Sequence, residues 1–134
     1  MQRNWFIGTV VLALWLALGG HLGFVRAQDQ AKPEKLNLFT GNPEAIKEGR
    51  NLYFLYGCNG CHGGTGGGGM GRPLSDDEWT FGSDDETLFK LIRGQIPEQT
   101  MPAVFGKVMT EEETWKVLAF IRSLYKGDPS RVNW

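Results

Sequence analysis

Five consecutive residues, Cys58-Asn59-Gly60-Cys61-His62, determine how the rest of the chain is interpreted. The two cysteines stand three positions apart, so both thiols fall on a single helical turn. A histidine follows the second cysteine directly. Cys-x-x-Cys-His is the attachment signature of c-type haem, to which two cysteines are joined covalently. The adjacent histidine is then held beneath the iron as its proximal axial ligand.

Three alternatives exist for this motif. A thioredoxin-like redox pair would head a helix in a βαβ pattern, and no such alternation of strands and helices is visible. A zinc site generally needs four ligands, whereas the chain has only two cysteines and two histidines, one of which, His21, lies in the N-terminal leader. A structural disulfide between Cys58 and Cys61 suits an oxidising compartment and remains the simplest alternative to haem.

Residues 1–27 have the features of a secretory signal peptide. Arg3 supplies the positive charge, Trp5–Gly20 is an uncharged and mainly apolar run, and Val25-Arg26-Ala27 offers a cleavage site before Gln28. The apolar run is shorter than the roughly 20 residues of a spanning helix. We therefore expect export to the periplasm. The alternative is an uncleaved N-terminal anchor, and contact with a membrane is expected only in that case.

Cleavage would leave residues 28–134, a suitable length for one domain. It would remove His21, making His62 the only histidine. The whole chain has a formal net charge of −1, and loss of the two basic residues of the leader makes the remainder more acidic. This balance argues against a nucleic-acid partner, which would require a basic patch.

A first helix is predicted just before the motif. Asn42 is a suitable N-cap, and Pro43 suits the first helical position. The helix is expected to end near Gly57. Apolar side chains and one glycine recur at three- and four-residue steps and predict a buried stripe, formed by Ile46, Gly49, Leu52, Tyr53 and Tyr56. Glycine costs helix stability at such a position, so Gly49 predicts the close approach of another helix.

The segment after the motif, Gly63–Gly71, is rich in glycine. A phosphate-binding loop would be followed by Gly-Lys-Ser/Thr, which is absent, so we expect a loop that lies close to the porphyrin edge. Further along, Trp79 is expected to be a core aromatic residue. A buried indole N–H needs a partner, and a haem propionate is one candidate for it.

Two more helices are predicted. Ser83 and Glu86 form a Ser-x-x-Glu capping box for a short helix that ends at Gly94. The segment from Gln95 to Val108 is expected to be irregular. Thr110 then caps the last helix, with three glutamates near its positive end. No stretch alternates like a strand for long, so the fold class is all-α.

The second axial ligand of the iron is predicted to be a methionine, because a Met sulfur opposite His raises the reduction potential of an electron carrier. Met70 lies only eight residues after His62 and is too close to cross the porphyrin plane easily. Met109 precedes a helix cap and is expected to pack beneath the last helix. Met101, in the irregular segment and followed by Pro102, is the preferred ligand.

These features together resemble the class I monohaem cytochrome c family over nearly all of residues 41–125. The resemblance implies an all-α domain whose first and last helices cross, wrapped around one covalent haem c. It matches Gly49 to the small residue at that crossing and Phe120 to the aromatic packed on it. It also implies that the carbonyl of Pro73 accepts the N–H of the ligand imidazole. In bacteria, haem c is attached outside the cytoplasm, which agrees with an exported chain.

A closer likeness is carried by Trp79–Gly82 and by the ending Leu124–Trp134. These segments resemble small periplasmic cytochromes, including the c-L type, that serve alcohol dehydrogenases dependent on pyrroloquinoline quinone (PQQ). The resemblance implies a monomeric one-electron carrier, not an enzyme, between a PQQ-dependent alcohol dehydrogenase and a terminal oxidase or downstream cytochrome. Two alternatives remain: a general respiratory donor to an oxidase, and a ligand-binding or sensor haem protein with an open distal site.

The expected domain organisation has four parts: a signal peptide (1–27), a flexible segment (28–40), the cytochrome domain (41–126) and a C-terminal tail (127–134).

Overall fold

The computed structural model describes residues 36–132 and residue 134, and regular structure within them is entirely helical. No strand occurs in this part of the chain, which confirms the all-α prediction. The signal peptide predicted for residues 1–27 lies outside the described residues. The elements, in chain order, are α1 (Pro43–Leu55), α2 (Cys58–His62), α3 (Asp85–Ile92), α4 (Phe105–Val108), α5 (Glu111–Leu124) and a 3₁₀ turn (Pro129–Arg131).

Helix α1 begins as its sequence predicts. Asn42 is the N-cap, and its side-chain oxygen accepts a hydrogen bond of 2.9 Å from the backbone N–H of Ala45. Pro43 occupies the first turn, where its missing N–H costs nothing. The helix ends at Leu55, and Gly57, with a φ of +73°, turns the chain directly into α2.

Helix α1 packs against α5, and Gly49 lies where the two helices touch. A Cβ atom at Gly49 would lie 1.9 Å from the carbonyl oxygen of Lys116, so only glycine permits this approach. The predicted close approach of another helix is confirmed. Phe120 packs edge-on against Tyr53 with ring centroids 5.2 Å apart. The crossing thus provides the centre of the core, with Val117 and Leu118 almost fully buried.

Helix α5 begins with a complete capping box. The Thr110 hydroxyl accepts from the N–H of Glu113 at 3.2 Å, and the Glu113 carboxylate accepts from the N–H of Thr110 at 2.8 Å. The prediction that Thr110 caps this helix is confirmed. The hydrogen bond from the Thr110 backbone lowers the pKa of Glu113.

The predicted cap of α3 is wrong by one residue. Asp84, not Ser83, is the N-cap, and its carboxylate accepts from the N–H of Thr87 at 2.7 Å. The carbonyl of Ser83 accepts a hydrogen bond of 2.6 Å from Arg122, and Glu86 forms an ion pair with Lys90 one turn later. An aspartate cap and an i,i+4 ion pair therefore replace the expected capping box.

A buried ion pair joins α3 to α5. The Asp85 and Arg122 side chains are each 2% exposed and lie 2.6 Å apart. The second carboxylate oxygen of Asp85 accepts from the backbone N–H of Asn37 at 2.7 Å, and the Asn37 side chain donates to the carbonyl of Trp115. Asn37 is itself buried. The flexible segment predicted for residues 28–40 is therefore anchored at Asn37.

Two further segments are more ordered than their sequences indicate. The region expected to be irregular, Gln95–Val108, contains the short helix α4. The C-terminal tail folds back on Asp77, whose carboxylate accepts from the Tyr125 hydroxyl, from the N–H of Asp128 at 3.0 Å and from Arg131 at 2.9 Å. The Tyr125 hydrogen bond is the main cause of the lowered pKa of Asp77.

Candidate haem site

Helix α2 places the motif side chains on one short turn. Gly57 precedes Cys58 in a left-handed conformation, and Gly63 follows His62 with a φ of +76°. Glycine is the residue that adopts such φ values readily, which allows a helix of five residues between two sharp turns. Cys58 is 8% exposed, and no disulfide joins it to Cys61.

A cavity of about 640 Å³ collects the four side chains that the sequence singles out. Its size lies within the range of cofactor pockets, roughly 300–1,000 Å³. α2 contributes one wall, α3 and α5 contribute apolar side chains, and two long loops complete the lining. The four side chains are Cys58, Cys61, His62 and Met101.

The imidazole of His62 has a backbone partner. Its Nδ1 lies 2.8 Å from the carbonyl oxygen of Arg72, where an Nδ1–H donates to that oxygen and leaves Nε2 available to a metal. The expected partner was the carbonyl of Pro73, and this prediction is wrong by one residue. The physical reason is the path of the glycine loop, which brings Gly71 against the ring: a Cβ atom at Gly71 would lie 2.6 Å from His62 Cε1. The next carbonyl along the chain is that of Arg72.

The three candidate methionines lie in different surroundings. Met70 is 88% exposed, although it stands at the edge of the cavity. Met109 is 4% exposed and belongs to the core. Met101 is partly buried, packs against the core and lines the cavity together with His62. The structure thus brings Met101 and His62 to one space.

Trp79 also lines the cavity, and its indole nitrogen is buried. Within residues 36–132 and 134, this Nε1–H has no hydrogen-bond acceptor. A buried donor without an acceptor is costly, and native proteins rarely retain one. The indole thus fits a bound group that carries an acceptor oxygen.

Tyr53 is a site residue that the sequence indicated only as part of an apolar stripe. It is fully buried, lines the cavity and donates through its hydroxyl to the carbonyl of Gly63 at 2.7 Å. Burial raises the pKa of Tyr53 to about 12, so the hydroxyl remains a donor at neutral pH. The hydrogen bond fixes the residue that follows His62. A tyrosine on the buried stripe, ten residues before Gly63, is the available signal.

Before haem is attached, burial raises the pKa of the Cys58 thiol to about 11. Among residues 36–132 and 134, no three His, Cys, Asp or Glu side chains converge as a metal-binding group. In the same part of the chain, no helix is both long and apolar enough to cross a bilayer.

Comparison with known proteins identifies the family. Residues 44–121 match a family described as cytochrome C oxidase, cbb3-type, subunit III. This match covers more than half of the chain, and the chain therefore belongs to this family of cytochrome c domains. Among curated proteins, no sequence matches significantly.

Two solved structures are similar to this fold. Cytochrome CL from the marine methylotrophic bacterium Methylophaga aminisulfidivorans is 32% identical, with a TM-score of 0.63 over 70% of this chain and 62% of that one. Cytochrome cL from Hyphomicrobium denitrificans is 26% identical, with a TM-score of 0.66 over 81% of this chain and 68% of that one. The chain thus spans less than two thirds of the length of the Methylophaga protein.

The family and the site agree on the cofactor. An apolar cavity beside Cys58, Cys61 and His62, with the unsatisfied Trp79 donor, fits a haem that carries propionate oxygens. The chain is a c-type cytochrome with the class I cytochrome c fold, and it carries one covalently attached haem c.

Proposed function

We propose that this cytochrome is a periplasmic one-electron carrier that is reduced by a PQQ-dependent alcohol dehydrogenase and oxidised by a terminal oxidase or a downstream cytochrome. The partner assignment is supported by the Trp79–Gly82 segment and the C-terminal tail, which resemble cytochromes of the c-L type. Similarity to two cytochromes cL supports it independently.

One observation carries the proposal: a single cavity is lined by Cys58, Cys61, His62 and Met101. We assign the two cysteines to the thioether bonds, His62 to one axial position of the iron and Met101 to the other. When bound, haem c supplies the Fe(III)/Fe(II) couple, whose potential depends on the axial ligands, burial and nearby hydrogen bonds.

The remaining side chains hold and shield this site. The Arg72 carbonyl orients the His62 ring and increases its basicity as a ligand, as partners of metal-bound histidines generally do. Trp79, whose buried indole N–H lacks an acceptor among the described residues, would donate it to a propionate of the bound haem. Leu88, Val117 and Ile121 line the cavity with apolar surface and exclude water. If His62 and Met101 both hold the iron, no position would remain for a substrate, and the protein would transfer electrons without catalysing a reaction.

The test of the axial ligands is spectroscopic. The reduced protein is expected to show a sharp low-spin c-type spectrum. The oxidised protein is expected to show the charge-transfer band of a methionine–iron bond. A high-spin spectrum would contradict the His62/Met101 pair and support the open distal site.

The test of the partner is kinetic. The oxidised cytochrome is mixed with a PQQ-dependent alcohol dehydrogenase and its alcohol, and haem reduction is followed by stopped-flow absorbance. We expect rapid reduction that slows as salt is added, because charged surfaces steer such transient encounters. Omitting the alcohol provides the control. Slow reduction at every salt concentration contradicts the proposed donor.

A second candidate function is a general respiratory carrier that is reduced by the quinol-oxidising complex and donates to a terminal oxidase. The description of the matching family, which names subunit III of a cbb3-type cytochrome c oxidase, favours this second function. The same stopped-flow measurement with the quinol-oxidising complex as donor distinguishes the two. The faster donor identifies the pathway.

The location also has a direct test. Expression of the full chain with the haem-attachment machinery, followed by fractionation and mass spectrometry, is expected to give a periplasmic haem protein that begins at Gln28. Retention in the membrane fraction with residues 1–27 attached would instead support the N-terminal anchor.

A further inference from the structure

The loop between α3 and α4, residues 95–102, is tied at both ends. At its start, the N–H of Gln95 donates to the carbonyl of Lys90 at 2.8 Å. Its two flanking residues touch: a Cβ atom at Gly94 would lie 2.4 Å from the Cβ of Ala103. These contacts fix where the loop leaves and rejoins the helices, but they do not fix its interior, where Met101 lies.

One side chain organises that interior. The Gln99 Oε1 accepts from the N–H of Ile96 at 3.0 Å, while its Nε2 donates to the carbonyls of Leu91 at 2.8 Å and Met101 at 2.9 Å. The backbone hydrogen bond from Gln99 to Ile96 is long, at 3.4 Å. A single amide thus satisfies three backbone groups and joins the end of α3 to the residue that lines the cavity.

The residue before Gln99 has a strained backbone. Glu98 has a φ of +62°, which makes it the one non-glycine residue with a positive φ among residues 36–132 and 134. Such a conformation is strained and persists only where surrounding interactions impose it. The Gln99 hydrogen bonds lie immediately beside it and provide that constraint.

We propose that Gln99 is the positioning residue for Met101: its amide fixes the Met101 carbonyl and thereby aims the thioether sulfur at the iron. This role rests on the proposed assignment of Met101 as an axial ligand. Its chemistry is specific to an amide, because the two carbonyl oxygens require an N–H donor while the N–H of Ile96 requires an acceptor.

Replacing Gln99 by glutamate tests this requirement. The Gln99→Glu change keeps the shape and the acceptor, but it sets a carboxylate oxygen against the carbonyls of Leu91 and Met101. Gln99→Ala removes all three hydrogen bonds without introducing a charge. Gln95→Glu, the same change at an exposed position of the same loop, is the matched control.

The measurement is competition for the iron in the oxidised holoprotein. Imidazole is titrated while the methionine–iron charge-transfer band is followed, together with the reduction potential and the thermal unfolding of each variant. We expect the apparent Kd for imidazole to fall about tenfold in both Gln99 variants, the size of effect that loss of a hydrogen bond produces. The band should weaken and the potential should fall, whereas Gln95→Glu should match the wild type.

The outcomes distinguish failure of this proposal from failure of the assignment of Met101 as an axial ligand. If Met101→Ala retains the band, the axial assignment is wrong and the role of Gln99 falls with it. If Met101→Ala abolishes the band but both Gln99 variants keep the wild-type Kd and potential, Gln99 is not a positioning residue, even if the variants unfold at a lower temperature. A fall in the apparent Kd for imidazole in Gln99→Ala but not in Gln99→Glu would also overturn the proposal, because the charged variant must be at least as disruptive.

Discussion

The loop that follows His62 and the loop that carries Met101 both line the haem cavity, but different interactions hold them. The first is fixed mainly by its own backbone: the N–H of Gly68 donates to His62 and that of Gly71 to Cys61, each at 2.9 Å. The second depends on the Gln99 side chain. The first loop is therefore sensitive to added atoms, whereas the second is sensitive to the loss of a functional group.

The largest expected effect is at the end of the second loop. Met101→Ala should abolish the methionine–iron charge-transfer band and lower the reduction potential by on the order of 0.1 V, because axial ligation is a dominant determinant of haem potential. Absorption spectroscopy and potentiometric titration measure both.

Met70→Ala is the matched control, since Met70 is largely exposed at the rim of the same cavity. Its spectrum should equal that of the wild type. If the band survived in Met101→Ala and disappeared in Met70→Ala, the assignment of the two methionines would have to be exchanged.

The next effect is expected from a single methyl group in the first loop. Gly71→Ala would place a Cβ atom 2.6 Å from His62 Cε1. Because neither the ring nor the loop can move freely, we expect a loss of about 1–3 kcal/mol in the free energy of unfolding. Chemical denaturation of the holoprotein measures it.

Gly67→Ala provides the control for Gly71→Ala. It adds the same methyl group four residues away in the same loop, where the nearest atom, Thr65 Oγ1, would lie 3.9 Å from the new Cβ. We expect a much smaller effect there. Equal losses at the two positions would show that crowding against the imidazole is not the cause.

A third substitution tests how much a side chain contributes to the stability of the first loop. Tyr53→Phe removes the hydroxyl that donates to the Gly63 carbonyl at 2.7 Å and keeps the buried ring. We expect a destabilisation of about 1 kcal/mol with an unchanged charge-transfer band, since the backbone hydrogen bonds of the loop remain.

Tyr56→Phe is the corresponding control for Tyr53→Phe. The Tyr56 hydroxyl makes longer contacts, 3.2 Å to Glu113 and 3.4 Å to the carbonyl of Val108, so its removal should cost less. A change in the axial spectrum of Tyr53→Phe would mean that the first loop depends on a side chain as much as the second does.

The last prediction is a difference in pH dependence, which appears only in alkaline solution. The pKa of Tyr53 is raised from 10.0 to about 12, chiefly by burial. The unfolded chain therefore loses this proton first, and the stabilising contribution is complete below pH 10 and is lost as the pH rises through 12. Between these values, the wild type should lose stability more steeply than Tyr53→Phe. Parallel curves of unfolding free energy against pH would contradict this.

The helix ends were predictable from sequence where one residue type fits one local geometry. Asn42 and Thr110 cap their helices as predicted, and Gly49 lies at the helix contact. The N-cap Asp84 was missed because the preceding residue, Ser83, forms a Ser-x-x-Glu pattern with Glu86. The two possible caps overlap and differ only in how the chain enters α3. That entry depends on the Arg122 hydrogen bond to Ser83, which is a long-range contact.

The parts of the candidate site that depend on the chemistry of particular side chains were predictable from the sequence. The two cysteines, His62 and Met101 all line the cavity. Gln99 and the Arg72 carbonyl were not predictable. Any residue supplies a carbonyl, and a glutamine in an irregular segment has no periodic pattern. Their roles arise only from the path of the loops.

The partner of His62 has a consequence for mutagenesis of this protein. The acceptor at Arg72 is a main-chain oxygen, and no substitution of an amino acid deletes it. A saturation library could report every codon at position 72 as tolerated while the hydrogen bond to the imidazole persisted in each variant. Tolerance in such a library would describe only the arginine side chain and its contact with Glu78. The importance of the carbonyl would not be detected.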